Sequence, residues 1–249
     1  MKRILIILIV LSQVFVSCKK MLDINSTRLV SEENMWLSME DSRAALMGIY
    51  GLTKSALNDN NAHWIYGDVR SGEFSVPIRQ DLKAIAKHDL NASFGVMNDL
   101  KSWRRWYAVV NAANIFLERI QEVKDNDQRY TNNNMVVDIA QARFLRAFAY
   151  FYMVRIWGDV PLIVASKEGT FDDQPREDQS KVMAFVEQEL QKAANDLPFL
   201  YSSNDPQQQG NYYNEYNSRW NGALARKTTA YAILAHVAAW QSNYPDAAA

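Results

Sequence analysis

Between Phe144 and Trp157 the chain reads FLRAFAYFYMVRIW, with Arg146 and Arg155 as the only charged side chains. A helix apolar on nearly every side has to be enclosed by other helices, because no face of it suits water. The run is too short to cross a bilayer, which takes about 20 apolar residues, and its two arginines interrupt it. Gly158 suits the left-handed residue that closes a helix, and Pro161 biases Val160 toward an extended backbone. The segment therefore predicts a buried core helix with an abrupt exit at GDVP.

The remaining periodicity predicts the helices that enclose it. Ser38 and Asp41 form the pattern of a capping box ahead of a helix over 39–57, with Leu46 and Tyr50 among its apolar positions. Over 101–123, Trp103, Tyr107, Val110, Asn114 and Leu117 recur at spacings of four and three. The core helix begins near Met135, which makes a helical hairpin of the two. A further helix carries Val182, Phe185, Val186, Leu190 and Ala193 and ends before Pro198. In the last helix Tyr231, Leu234, Ala235, Ala238, Ser242, Tyr244 and Ala247 take the spacings of a tetratricopeptide repeat, although Ala235 and Ser242 replace its usual glycines. The expected fold is all-α, with tetratricopeptide-like helix pairs in an α-α superhelix and long irregular loops over 58–99 and 201–222. The second helix of that repeat has only begun at Ala249, so the chain is expected to be a truncated piece of a longer solenoid.

With 48% hydrophobic residues in 249, the chain can bury a substantial core. A net charge of -1 with scattered basic residues excludes the positive field of a nucleic-acid binder. The start, MKRILIILIVLSQVFVSC, has a basic pair, an apolar run and a small residue before the single cysteine. That is a secretory signal pattern, predicted over 1–17. Cys18 is then the acylated first residue of a bacterial lipoprotein, 18–34 a tether, and 35–249 the folded domain; the alternative is an ordinary signal peptide with an incidental buried cysteine.

Catalytic patterns are weak. His63, His88 and His236 share no helical spacing suited to a metal, and no cofactor or metal is expected. The acidic pairs Asp172–Asp173 and Glu177–Asp178 could serve a glycosidase, but acids at a helix start more often partner its dipole. Sugar binding needs an aromatic face flanked by amides or carboxylates. Two loops hold that mixture: Trp64, Tyr66 and Asp68, with His63, Phe74 and Asn91 nearby, and Tyr212, Tyr213, Asn214, Tyr216 and Trp220. For each aromatic the competing assignment is packing onto the helical body. Trp64, Tyr66, Asp68, Tyr213 and Trp220 are the candidate ligand residues, whereas Trp103, Trp106, Tyr107, Phe148, Tyr150, Phe151, Tyr152 and Trp157 belong to the core. Arg143 and Arg146 require carboxylate or carbonyl partners, Asp159 being one candidate.

An ordered set of motifs adds a resemblance. LDI follows the cysteine; then come WRRWYAVVNAAN, ARFLRAFAYFYMVRIWGDVPLI, QPRED leading to a helix ending AANDLP, and ARKTTAYAILAHVAAW. Over 21–249 the chain resembles the N-terminal half of the SusD/RagB family, with Arg143, Leu145, Arg146, Ala147 and the GDVPL exit as the most specific part. The resemblance implies a non-enzymatic Bacteroidetes lipoprotein, lipid-anchored on the outer face of the outer membrane. It implies a glycan or peptide ligand passed to a SusC-like TonB-dependent transporter. Because family members are about twice as long, their C-terminal half is implied to complete the ligand surface. An envelope hydrolase and a helix-binding tetratricopeptide scaffold are the competing classes.

Overall fold

The computed structural model describes residues 35–166, 173–206, 208 and 210–248. The expected signal peptide, Cys18, the tether and Asp172 lie outside the described residues. Nine α-helices are described: α1 (Met39–Asn58), α2 (Ala62–Tyr66), α3 (Gln80–Ala86), α4 (Gly95–Leu100), α5 (Arg104–Asn126), α6 (Asn132–Trp157), α7 (Gln179–Asp196), α8 (Lys227–Trp240) and α9 (Tyr244–Ala248). The fold is all-α, and among the described residues extended pairing is limited to a bridge between Val160 and Glu177.

Local chemistry explains the long helices. Ser38 Oγ accepts from the Asp41 amide at 3.3 Å while the Asp41 carboxylate accepts from the Ser38 amide at 2.8 Å, a closed capping box. From there α1 buries Ser42, Leu46, Ile49, Thr53 and Ala56, one face at helical spacing. Thr131 caps α6 by accepting from the Asn134 amide at 3.1 Å, so this helix starts three residues earlier than Met135. Its buried residues point in every direction, and it packs against α1, α5, α7 and α8. Along the outer series α1 packs on α5 and α7 on α8, which sets the core around α6.

On α5 the buried stripe is Trp106, Val109, Val110, Ala113, Asn114, Phe116, Ile120 and Val123, which keeps Val110 and Asn114 of the predicted face and is otherwise rotated from it. Trp103, Tyr107 and Leu117 are half-buried, and Trp103 carries the Arg176 guanidinium 4.8 Å from its ring. The helix has two overlapping apolar stripes, and packing between α1 and α6 selects the second. Phe148 is likewise half-buried, whereas Phe151 is fully enclosed.

The exit from α6 follows the predicted pattern. Gly158 sits at φ 70, ψ -119, a conformation open almost solely to glycine. A methyl group there would meet no neighbour within 4 Å, so the expected penalty for Gly158→Ala is backbone strain alone, about 1–3 kcal/mol. Chemical denaturation checks this; an unchanged midpoint would show that the turn relaxes. Beyond it, Tyr107 donates to Pro161 O at 2.6 Å, and the Tyr150 hydroxyl donates to Ile163 O at 2.9 Å while accepting from the Ile163 amide at 2.7 Å. Asp159 accepts from the Gln179 amide at 3.0 Å at the start of α7, so it is not the partner of Arg143 or Arg146. That partner is Glu189 on α7, 2.5 Å from Arg146 and 3.4 Å from Arg143, because α7 lies along the arginine-bearing face of α6.

Two stretches predicted as loops are built differently. Residues 58–100 contain α2, α3, α4 and two 3₁₀ turns, around a small core of Ile65, Val69, Leu82, Ile85, Met97 and Leu100. Helices of five to seven residues span too few turns to show a period. The described residues of 201–225 include two 3₁₀ turns, and Tyr201, Tyr212, Tyr213 and Trp220 insert their rings into the protein.

Candidate functional site

Helix α1 ends at Asn58, and Asn60 and Asn61 follow in left-handed conformation, at φ 51 and 55. Asparagine tolerates this region better than most residues, which is why the sequence NDNN can turn here. The turn brings α2 in at once, with Trp64 on its first turns. Two depressions adjoin at this point. One, of about 410 Å³, is lined by Ser55, Asp59, Asp99, Ser102, Arg104 and Arg105 among others. The other, of about 370 Å³, is lined by Asn60, Asn61, Trp64, Arg79, Asp81 and Asp99 among others. Asp99 belongs to both, and a narrow cleft holding Asn60, Asp99 and Arg105 joins them into a groove.

The groove is polar, and two of its arginines are held by carboxylates. Asn60 Nδ2 donates to Asp99 Oδ2 at 3.0 Å, fastening the Asn turn to the end of α4. Arg105 from α5 forms an ion pair with Asp59, and Arg79 with Asp81. Hydrogen bonding from Arg79 holds the Asp81 carboxyl below its ordinary range. Amides, carboxylates and guanidinium groups beside one tryptophan are the donor and acceptor set that sugar hydroxyls require.

Of the predicted ligand residues, Trp64 lines this groove; it is 38% exposed and edge-on to Phe74 at 5.6 Å. Tyr66 reaches the joining cleft but is half-buried: its hydroxyl donates to Leu100 O, and its ring meets Trp157 edge-on at 5.9 Å. Burial raises the Tyr66 phenol well above its ordinary value. Asp68 is exposed in a 3₁₀ turn and does not line the described groove; its carbonyl accepts from Ser71 Oγ at 2.7 Å. His63 places Nδ1 2.7 Å from the Tyr152 hydroxyl.

The second loop is corrected by the structure. Tyr213 and Trp220 are 4% and 5% exposed, with ring centroids 6.2 Å apart, so neither presents a face to a ligand. Tyr213 belongs to a polar cluster around Asp138 of α6, which is fully enclosed, and Trp220 packs on the rings of Tyr212 and Tyr213. Asp138 accepts from Tyr130 at 2.8 Å, Tyr213 at 2.6 Å, Ser42 at 3.0 Å, and Tyr212. Gln141 donates to the Tyr212 hydroxyl at 3.0 Å and accepts from Tyr50 at 2.9 Å. Burial pushes the Asp138 carboxyl up to about 6, against the downward pull of these hydroxyl groups. Tyr216, 84% exposed, is the aromatic of that loop left open to solvent.

Sequence reasoning missed Asn60, Asp99 and Arg105. The doubled asparagine carried a signal as a site of left-handed backbone; Asp99 carried none, being 39 residues from the amide it meets. Among the described residues no three His, Cys, Asp or Glu side chains gather as a metal site. Glu177 and Asp178, weighed as a glycosidase pair but favoured as helix-dipole partners, sit at the start of α7, where Glu177 pairs with Lys181 at 3.1 Å and Asp178 accepts from the Ser180 amide at 2.8 Å. No helix among the described residues is long and apolar enough to cross a membrane.

Comparison with known proteins bears on both fold and site. Residues 20–238 match the SusD-like family described as starch-binding and associating with the outer membrane. SusD-like protein P38 of Formosa agariphila is 27% identical over 191 residues, covering 75% of this chain and 35% of that protein. A crystal structure of a SusD superfamily protein from Bacteroides thetaiotaomicron superposes with a TM-score of 0.80 at 48% identity, over 85% of this chain and 46% of that one. A laminarin-binding SusD-like protein shares the fold, with a TM-score of 0.64 at 19% identity, over 85% of this chain and 42% of that one. The chain spans less than half the length of each of these three proteins. The matched residues take in all of α1 to α7 and nearly all of α8, including the arginine pair and GDVPL exit of the core helix, and on that ground the chain belongs to the SusD-like family.

Proposed function

We propose that the protein is a lipid-anchored cell-surface binding protein that captures a glycan and delivers it to a SusC-like TonB-dependent transporter in the outer membrane. The observation that carries the reading is the groove in which Trp64 stands beside Asn60, Asn61 and Asp99. An exposed indole supplies a face for a pyranose ring, and the amide and carboxylate groups supply partners for its hydroxyls. The family's description as starch-binding, and a laminarin-binding protein of the same fold, support this ligand class.

Trp64→Ala tests it. Calorimetric titration of the full-length protein with laminari- and malto-oligosaccharides should show about tenfold weaker binding in the variant, the effect of losing about 1–1.5 kcal/mol of stacking. Stability should stay within about 0.5 kcal/mol of the parent, since an exposed site is altered. Unchanged affinity would remove Trp64 from the site. Release of shorter sugars would favour a hydrolase, and saturable binding of peptides alone a peptide-capturing protein.

The anchor rests on Cys18, preceded by the basic pair, the apolar run and Ser17. Stable anchoring takes more than one acyl chain, each buried CH₂ contributing about 0.8 kcal/mol. Cys18→Ala is expected to move the protein from the membrane to the soluble fraction; retention after a high-salt wash would defeat the lipoprotein reading.

A further inference from the structure

We infer that the cavity between the 58–100 segment and the end of α6 binds a small aryl or branched-alkyl carboxylate. The inference is independent of the glycan reading of the groove.

The cavity, about 130 Å³, is lined by Ile85, Leu90, Met97 and Leu100 on one side and by Ile156 and Trp157 of α6 on the other, among others. The 58–100 segment packs around its own core, and the last turn of α6 meets it through Ile156 and Trp157 without filling the joint. Tyr66 also stands in the wall, edge-on to Trp157 at 5.9 Å, with its hydroxyl already donating to Leu100 O. Walls of this kind suit no sugar, whose ring hydroxyls they would leave without partners. Engineered apolar cavities of about 150 Å³ stay dry and bind benzene, so this one has room for a single aromatic ring or a branched chain of similar size.

The charged residues described in the lining are both cations, Arg70, half-buried, and Lys101, exposed, so they stand where the cavity opens to water. Arg70 Nε donates to His88 Nδ1 at 3.3 Å, and among the described residues neither cation forms an ion pair. The acids nearest in sequence, Asp68, Asp89 and Asp99, lie outside this lining, and Asp99 accepts from Asn60 in the groove. An apolar group seated in the cavity and carrying a carboxylate at its outer end would meet a guanidinium fork and an ammonium together. An amine in the same place would meet like charge.

The test titrates the full-length protein by calorimetry with phenylpropionate, phenylpropionamide and phenylethylamine. Saturable one-to-one binding of the carboxylate is expected, about tenfold tighter than the amide, with no binding of the amine. Added salt should narrow the gap between carboxylate and amide, because screening weakens the charged contact and leaves the apolar one alone. In the double variant Arg70→Gln/Lys101→Gln the carboxylate should fall to the affinity of the amide at an unchanged melting temperature. Ile156→Phe fills the cavity and should abolish binding of both; Leu90→Phe, at a partly exposed position of the lining, repeats that test if Ile156→Phe does not fold. Equal affinity of the parent for carboxylate and amide would overturn the inference. So would carboxylate binding that survives both cavity-filling variants, or a carboxylate that does not bind at all. None of these results bears on the glycan reading, which stands or falls on Trp64 and the oligosaccharide titrations.

Discussion

Asp138→Ala is expected to destabilise the protein by about 3–6 kcal/mol, because it orphans several buried hydroxyl donors at about 1–3 kcal/mol each. Tyr130, Tyr212, Tyr213 and Ser42 all donate to this one carboxylate, and burial leaves them no water to turn to. Losses of that size are a large part of the about 5–15 kcal/mol that holds a typical domain. The damage should be concentrated where Tyr212 and Tyr213 tie the 3₁₀ turn of the later loop to α6, and Trp220 fluorescence would report it. Urea titration gives the total; a loss under about 1 kcal/mol would mean that the hydroxyls find other partners.

The same carboxylate gives stability a pH dependence of defined sign. Its folded-state value, about 6, lies above the ordinary 3.8, so between those values the folded state binds the extra proton. Stability contributed by Asp138 is therefore fully present below about pH 4 and is lost as pH rises through 6, by about 3 kcal/mol in all. Carboxyls held low by arginine, such as Asp127 and Glu40 beside Arg129, act in the opposite direction and only in more acid solution. From pH 7 to pH 5 the parent should become more stable, and Asp138→Asn, which removes the titration, should flatten the profile. A parent that loses stability over that interval would show that the hydroxyl groups outweigh burial.

Glu189→Ala is expected to cost about 3–5 kcal/mol, the typical penalty for leaving a buried charge without its partner. Glu189 is 3% exposed and holds Arg146, whose other contacts are Asn114 Oδ1 at 2.7 Å, Val164 O at 3.4 Å and the Phe185 ring at 5.3 Å. None of these carries a compensating charge. The pair Arg146→Met/Glu189→Leu should recover most of the loss, since a buried ion pair replaced by apolar groups of similar volume is often neutral or stabilising. Denaturation of single and double variants measures both. If the double variant were no better than Glu189→Ala, the cost would lie in packing and not in charge.

The residues at stake show what could be read in advance. Arg143 and Arg146 announce buried guanidinium groups in an apolar helix, yet Glu189 is 43 residues beyond Arg146, and no local pattern points to it. Trp64 and Trp220 stand in sequence surroundings of the same kind, each an aromatic among asparagines and tyrosines. One remains at a groove and the other is enclosed, because the Tyr212–Asn214 turn is drawn onto Asp138 while Trp64 stands edge-on to Phe74 and stays partly exposed. The stretch around Asp138, MVVDIAQA, holds the one trace of this: an acid on the buried side of an apolar run requires donors from somewhere.

Local grammar determined the long helices. The Ser38–Asp41 box, the all-round apolar run to Trp157 and the Gly158 exit act over three or four neighbouring residues, the range over which a helix is decided. The ordered motifs identified the family on the same footing. Tertiary structure decided which stripe of α5 faces the core, how the short helices of 58–100 close on their own apolar cluster, and which aromatic loop stays open. Each depends on pairings tens of residues apart, such as Asn60 with Asp99 at the surface and Asp138 with Tyr213 in the interior, the latter strengthened by exclusion of water in the assembled protein.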